Sequence, residues 1–252
     1  MTPEITATLL QLNRAFYATV ATAFDATRWI AGGVATTANL AASTGGSTPT
    51  GTRCWLWQWA FAWLLEEWGI VADYVGVDAD AQLLTLAAQH AAGLTHVRCT
   101  FQQADFTEMH WTAQLALQTR TFDLVVCFAA LHHVPGYRLR AQVVAGLADL
   151  VTTGGTIILS HWQFLTSARF VRKQIAWQTI GLSESDIEEG DALLPWHQNA
   201  FAVRYVHQTD EGEAQQLAKM AGLCRIAHFY ADGKEGNLNL YTILSRVEES
   251  ET

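Results

Sequence analysis

Lysine is nearly absent from this 252-residue chain, which carries it only at Lys173, Lys219 and Lys234. Charged residues make up 15% of the chain, and the formal net charge is −9. Strong non-specific binding to nucleic acid needs Lys and Arg to neutralise phosphates, so this balance argues against it. Any local basic patch has to be built from arginine. Cysteine is also sparse. Cys54, Cys99, Cys127 and Cys224 lie far apart and form no CxxC pair, which argues against a zinc site or a redox motif, and no metal is expected. Cys99 and Cys127 fall in apolar runs and read as buried reduced thiols. The opening MTPEITATLLQLNRAFYATV has no basic start followed by an apolar block, so no signal peptide is read. No apolar run is long enough to cross a bilayer. A cytoplasmic protein with no membrane association is the expectation. Half the residues are hydrophobic, enough for one domain, or one domain with an insertion, around a large core.

Ile5, Leu9, Leu12, Phe16, Val20 and Phe24 recur in steps of three and four and predict an amphipathic helix over residues 3–25, within an N-terminal unit 1–28. From Trp29 to about Ala60 the chain is rich in Gly, Thr, Ala and Ser and has no period, like a linker, before the tryptophan-dense RCWLWQWAFAW. A regular alternation follows. Helix is predicted over 61–68, strand over 72–77, helix from Asp80 to about His90, strand over 96–101 and strand over 122–128. Helix is then predicted over 138–151, a turn at Gly154-Gly155, and strand over 156–160. Residues 162–200 read as an irregular, partly helical insertion. A helix from Asp210 to Met220 and strands near 224–229 and 238–244 close the chain. The last two strands have no room for a helix between them, so they form a hairpin and one of them runs antiparallel. The fold class is a Rossmann-like, doubly wound α/β sheet of about seven strands, with the last antiparallel.

In open α/β sheets, ligands bind beyond the carboxyl ends of the strands. Three such ends carry suggestive residues. Asp78 follows ADYVGV and can accept hydrogen bonds from both hydroxyls of a ribose; the alternative, a helix cap, fits Asp80 better. Asp105 in FQQADF can meet the amino group of an adenine, or is a plain loop aspartate. Phe128 ends FDLVVCF and can pack beside a cofactor, or is simply core. With their neighbours Ala79 and Phe106, these make up the candidate cofactor site.

YVGVDAD, QQADF, FDLVVCFAALHHV and LADLVTTGGTIILS together resemble the class I S-adenosylmethionine-dependent methyltransferases, over roughly residues 72–159. The resemblance implies S-adenosyl-L-methionine as cofactor and a seven-stranded sheet whose last strand is antiparallel. It covers a domain of residues 29–252, with the insertion 162–200 near the substrate. A dehydrogenase can share Asp78, but is not expected to show ALHHV paired with GGTIILS.

The family's first strand leads into a loop like D-x-G-x-G-x-G, roughly 20 residues before the ribose-binding acid. Its glycines let the backbone approach the cofactor. Here Trp55, Trp57 and Trp59 occupy the three glycine positions. Tryptophan has one codon, TGG, and from its second base onward the reading becomes GGN, always glycine. Arg53, Cys54, Leu56 and Gln58 permit Asp, Val, Cys and Asn in that frame, giving D-V-G-C-G-N-G. Residues 34–53 likewise permit W-Q-R-L-L-T-L-P-P-Q-L-A-A-Q-P-L-R-V-L-D, a helix, a proline stop and a strand. Residues about 29–60 are therefore read as translated out of frame, the alternative being a divergent loop. As written, three indoles fill the volume the cofactor needs, so weak cofactor binding is expected.

A narrower resemblance joins NRAFYATVATAFDATR, AALHHV, the LLPW around Trp196 and RYVHQTDEGEAQQLAKMAGL to the eukaryotic tRNA wobble-uridine carboxymethyl methyltransferases. In that family a comparable helix ends in Phe-x-x-Thr-Arg, as Phe24 to Arg28 do, and an Arg-Tyr pair like Arg204-Tyr205 precedes the acidic helix. This implies a carboxylate or nucleotide acceptor near the His132-His133 segment and the insertion. Methyl transfer from a sulfonium needs alignment and desolvation more than acid–base groups. His132 and His133 are the catalytic candidates, able to orient an acceptor or take a proton, or else to pair with backbone. Arg204 can grip an anion by a bidentate contact, or is a solvated arginine. Trp196 and His197 can line the acceptor pocket or simply pack. The acceptor is expected to be a small molecule or tRNA, and the net charge weighs against tRNA. A catalytically inactive binding or scaffold protein on the same fold is the second reading.

Overall fold

The computed structural model describes residues 1–28, 52–56, 60–116, 121–197 and 200–246. A first helix, α1 (Pro3–Arg28), opens on proline, whose missing N–H costs nothing in a first turn. Its inner face is Leu9, Asn13, Phe16 and Val20, all buried. The spacing is that of a helical stripe, with one polar residue set into it.

The main sheet contains β1 (Thr52–Leu56), β2 (Ala72–Asp78), β3 (Val97–Gln103), β4 (Phe122–Cys127), β5 (Val151–Trp162), β8 (Leu223–Ala231) and β9 (Asn239–Arg246). Their order across the sheet is β3-β2-β1-β4-β5-β9-β8. The first five run parallel, and β9 runs antiparallel to both β5 and β8. The order reverses between β1 and β4, which opens a crevice at the carboxyl ends of the strands.

Helices cover both faces. On one side α4 (Tyr137–Leu150) and α6 (Glu211–Met220) bury Val143, Val144, Leu147, Leu217 and Ala218 against Val125 and Ile157. On the other side α2 (Ala60–Glu67) buries Phe61, Ala62 and Leu65 against Leu124, Val126 and Ile158. Neighbouring residues of β4 thus serve opposite cores, which is why it is apolar from Leu124 to Cys127. Helix α3 (Ala81–Ala91) starts where Asp80 accepts hydrogen bonds from the amides of Gln82 and Leu83 at 2.8 and 3.0 Å.

Three features depart from the sequence reading. β5 begins at Val151, ahead of the Gly154-Gly155 turn, rather than at Thr156; its pairing with β4 slips across that turn, from Phe122↔Val151 to Leu124↔Thr156, with Gly154 at φ 76°. Secondly, residues 162–200 are more ordered than an irregular insertion. They hold a short helix α5 (Ala168–Val171), single helical turns, and β6 (Asp191–Trp196), which pairs antiparallel with β7 (Ala202–His207) in a second sheet. Leu193 and Tyr205 of this sheet pack on Leu9 of α1 and on Trp177. Thirdly, Trp55 lies inside β1 rather than in a loop after it, paired with Val75 and Val125. Trp57, Trp59 and residues 29–51 lie outside the described residues.

Candidate functional site

A cavity of about 580 Å³ lies at the carboxyl ends of β2 and β3, beside the switch in strand order. Its size is ordinary for a cofactor-sized ligand. Asp78, Ala79, Asp105, Phe106 and His133 line it, so the structure brings these five sequence candidates together.

Asp78 is buried at the last position of β2, and its Oδ1 accepts the Asp80 amide at 2.9 Å. The two aspartates therefore divide the work: Asp80 caps α3 while Asp78 faces the cavity. Asp105 sits just past β3. Its Oδ2 accepts from Arg14 Nη2 at 2.8 Å, and its Oδ1 accepts from the amide of Thr107 at 2.9 Å and from the Thr107 hydroxyl. Burial works to raise the Asp105 carboxyl, but Thr107 and Arg14 outweigh it and hold it below the usual carboxylate range.

After β4 the chain enters the left-handed region at Ala129 (φ 50°), and the Ala129 amide donates to Ser160 Oγ at 2.9 Å. A short helical turn, Leu131–His133, then delivers both histidines to the interior. Asn13 of α1 fixes this turn. Its Nδ2 donates to the carbonyls of His133 (3.0 Å) and Tyr205 (3.2 Å), and its Oδ1 accepts the Tyr205 amide at 2.8 Å. His133 Nδ1 lies 3.2 Å from the Tyr205 carbonyl oxygen. A carbonyl only accepts, so Nδ1 carries the hydrogen, which in the neutral ring leaves the lone pair on Nε2. The Tyr17 ring meets the His133 ring edge-on at 5.4 Å, closing the cavity on the α1 side.

His132 is turned away from the cavity wall, 5.5 Å from the Trp162 ring. Trp162 in turn packs against Arg204. The Arg204 Cζ lies 5.4, 5.0 and 6.0 Å from the ring centres of Phe16, Trp162 and Trp196. Its buried Nε has no hydrogen-bond partner among the described residues. Burial pulls the guanidinium down from its usual value, against the influence of nearby Tyr17, yet an arginine still keeps its charge. A cation stacked on aromatic faces keeps its edge for an anion.

Three candidates stand elsewhere. Phe128 lies on the α2 side of the sheet, packed edge-on against Phe61 and Tyr241 at 6.1 and 5.5 Å. The Tyr205 phenol points away from the acceptor side and donates to Asp191 Oδ1 at 2.6 Å. His197 contacts Phe201, which is exposed. Among the described residues, no group of three His, Cys, Asp or Glu side chains is placed to hold a metal ion. No helix among them is long and apolar enough to cross a membrane. Sequence reasoning missed Asn13, Arg14 and Tyr17, all from α1. Asn13 had left a trace, as the polar break in an apolar stripe.

The comparisons agree with this geometry. A family model described as a methyltransferase domain matches residues 59–155. No curated protein matches the chain. Among solved structures, an S-adenosylmethionine-dependent methyltransferase from Methanosarcina mazei is similar with a TM-score of 0.63 at 16% identity, covering 82% of this chain and 97% of that one. One from Clostridium acetobutylicum has a TM-score of 0.59 at 11% identity, covering 82% and 89%. The magnesium protoporphyrin IX methyltransferase of Synechocystis, solved with bound S-adenosylhomocysteine, has a TM-score of 0.55 at 17% identity, covering 84% and 82%. The chain thus carries the α/β fold of the S-adenosylmethionine-dependent methyltransferases, with its cavity at the crevice of the sheet.

Proposed function

We propose that this protein is an S-adenosylmethionine-dependent methyltransferase acting on a small-molecule or tRNA acceptor in the cytoplasm. The observation that carries this reading is the meeting of Asp78, Asp105 and His133 on the wall of one cavity at the switch point of the sheet. The residues there suit the cofactor's nucleoside end. Asp78 would accept the ribose hydroxyls, and Asp105 would receive the adenine amino group beside Arg14. S-adenosylmethionine, when bound, supplies an electrophilic methyl group on a sulfonium. The chain's own contribution is to orient the acceptor and exclude water. His133 Nε2 can take a proton from a hydroxyl or amine acceptor, and Arg204 can hold an anionic one by its edge. Trp196 packs against Arg204, as Trp162 does, and His132 packs against Trp162. In this reading the domain runs over 29–252, with 1–28 as the helix that meets both the cavity and Arg204.

The same proposal includes a displaced reading frame over residues about 29–60, with activity impaired in the chain as written. One observation supports it: the family match begins only at residue 59, at the far end of the anomalous segment. Sequencing the gene across codons 28–61 tests this; a second frame lacking D-V-G-C-G-N-G removes it. A labelled methyl-transfer assay on the frame-corrected protein, with bulk tRNA and small metabolites as acceptors, tests the function. No transfer to RNA removes tRNA as acceptor. A frame-corrected protein that does not bind S-adenosylmethionine leaves the inactive scaffold as the reading.

A further inference from the structure

Behind the cavity, six ionisable side chains from four places in the chain meet. His207 of β7 is buried, with Nδ1 2.7 Å from Asp191 Oδ1 of β6 and Nε2 2.7 Å from Glu213 Oε2 of α6. Arg140 of α4, also buried, reaches Glu213 Oε1 at 2.7 Å, Glu188 Oε2 at 2.9 Å and the Val134 carbonyl at 3.2 Å. The Tyr205 phenol shares Asp191 Oδ1 with His207. His161 of β5 stands nearby, with Nε2 3.2 Å from Thr242 Oγ1.

The hydrogen bonds decide the charge of His207. Ionised carboxylates only accept, so an imidazole held between two of them must donate from both nitrogens, and only the imidazolium has two N–H groups. The charges around it agree. With Arg140 and His207 both cationic, the cluster has two positive groups against Asp191, Glu188 and Glu213; with a neutral His207, three carboxylates face one cation in a largely buried cluster.

We infer that His207 is a buried imidazolium that fastens the β6–β7 sheet to α4 and α6, and that its deprotonation is a pH-operated release of that sheet. The groups facing it are Asp191 from β6, Glu213 from α6, Arg140 from α4, Glu188 from the turn before β6, Tyr205 from β7 and His161 from β5. Burial and Arg140 oppose the charge on His207, but Asp191 and Glu213 outweigh them and raise it above an ordinary histidine. His161 goes the other way: burial, helped by the His207 and Arg140 cations against the pull of Glu213, pushes it down to about 4. The release matters because β7 also carries Arg204 and the two Tyr205 backbone groups that Asn13 and His133 hold. Loss of the proton loosens Arg204 and the Tyr205 backbone from behind, and with them the anchorage of Asn13 and His133 on the cavity wall.

Imidazole nitrogen–proton NMR on the full-length protein tests this without any cofactor or acceptor. The His207 resonances are assigned by comparison with His207→Gln or, if that variant does not fold, with Glu213→Gln. The expected spectrum at pH 7 shows both His207 nitrogens protonated, with a midpoint above the value of about 6.5 for an unstructured histidine. A singly protonated neutral ring at pH 7 overturns the proposal. Amide exchange between pH 6 and pH 9, corrected for its intrinsic pH dependence, gives the second readout. Protection over 191–196 and 202–207 is expected to fall at least tenfold more than over β4. A uniform change across both sheets overturns the release, whatever the methyl-transfer assay finds.

Discussion

Replacing Asn13 with alanine tests how α1 is tied to the site. The side chain is buried and makes three hydrogen bonds, at 3.0, 3.2 and 2.8 Å, to the His133 carbonyl and to the carbonyl and amide of Tyr205. Alanine removes all three and admits no replacement among the surrounding apolar residues. The Tyr205 amide then has no acceptor, and a buried orphan donor costs about 1–3 kcal/mol. The two carbonyls lose less, because the Tyr205 oxygen keeps the His133 ring and each carbonyl has a second lone pair. A loss of about 2–4 kcal/mol follows, worth roughly 4–16 °C in Tm for a domain of this size. Denaturant and thermal unfolding of the wild type and Asn13→Ala measure it. Asn13→Asp should do no better, since a carboxylate can accept the Tyr205 amide but faces two carbonyls it cannot donate to. A loss in Asn13→Ala below about 0.5 kcal/mol, the scale of an ordinary surface substitution, would refute the reasoning, and so would an aspartate variant as stable as wild type.

Other predictions separate binding from folding. In the frame-corrected protein, Asp78→Asn should weaken S-adenosylhomocysteine binding at least tenfold by calorimetry. Asp80→Ala should instead cost about 1 kcal/mol of stability through the lost cap, with affinity little changed. Because Asp105 is held below its unfolded value, its contribution to stability is present above about pH 3.9 and is lost as pH falls through the folded value. Arg14→Gln should shrink that acid-limb contribution, and identical acid limbs for the two proteins would deny the Arg14–Asp105 pair its part. Arg204→Met removes a buried cation with few partners, so stability should hold or rise while transfer to an anionic acceptor is lost. A large fall in Tm would mean that Arg204 is structural. Calorimetry of the chain as written should detect very weak S-adenosylmethionine binding, and micromolar affinity would contradict the reading of the tryptophan loop.

The sheet was legible because its strands announce themselves. A strand covered on both faces carries a near-continuous apolar run, as LVVC in β4 and IIL in β5 do, and a capped helix shows its aspartate, as Asp80 and Asp210 do. Asp78 and Asp105 were legible because strand ends in such a sheet face the crevice. The β6–β7 sheet was hidden because β6 mixes charge, proline and tryptophan in six residues and β7 sets Arg204 and His207 among its apolar ones.

The sequence by itself determined the alternation of helices and strands from α2 to β5 and from α6 to β9, the hairpin that turns β9 antiparallel, and the two carboxylates of the cavity. These follow from periodicity and from position along a strand, which are local properties. Only the tertiary structure decided that α1 walls the cavity through Asn13, Arg14 and Tyr17, that Phe128 and Tyr205 face elsewhere, and that His207 is clamped between Asp191 and Glu213. Those depend on which side chains meet across separations such as the 192 residues between Asn13 and Tyr205. No local pattern records such a meeting, because the partner that satisfies a buried polar group is chosen by packing rather than by spacing.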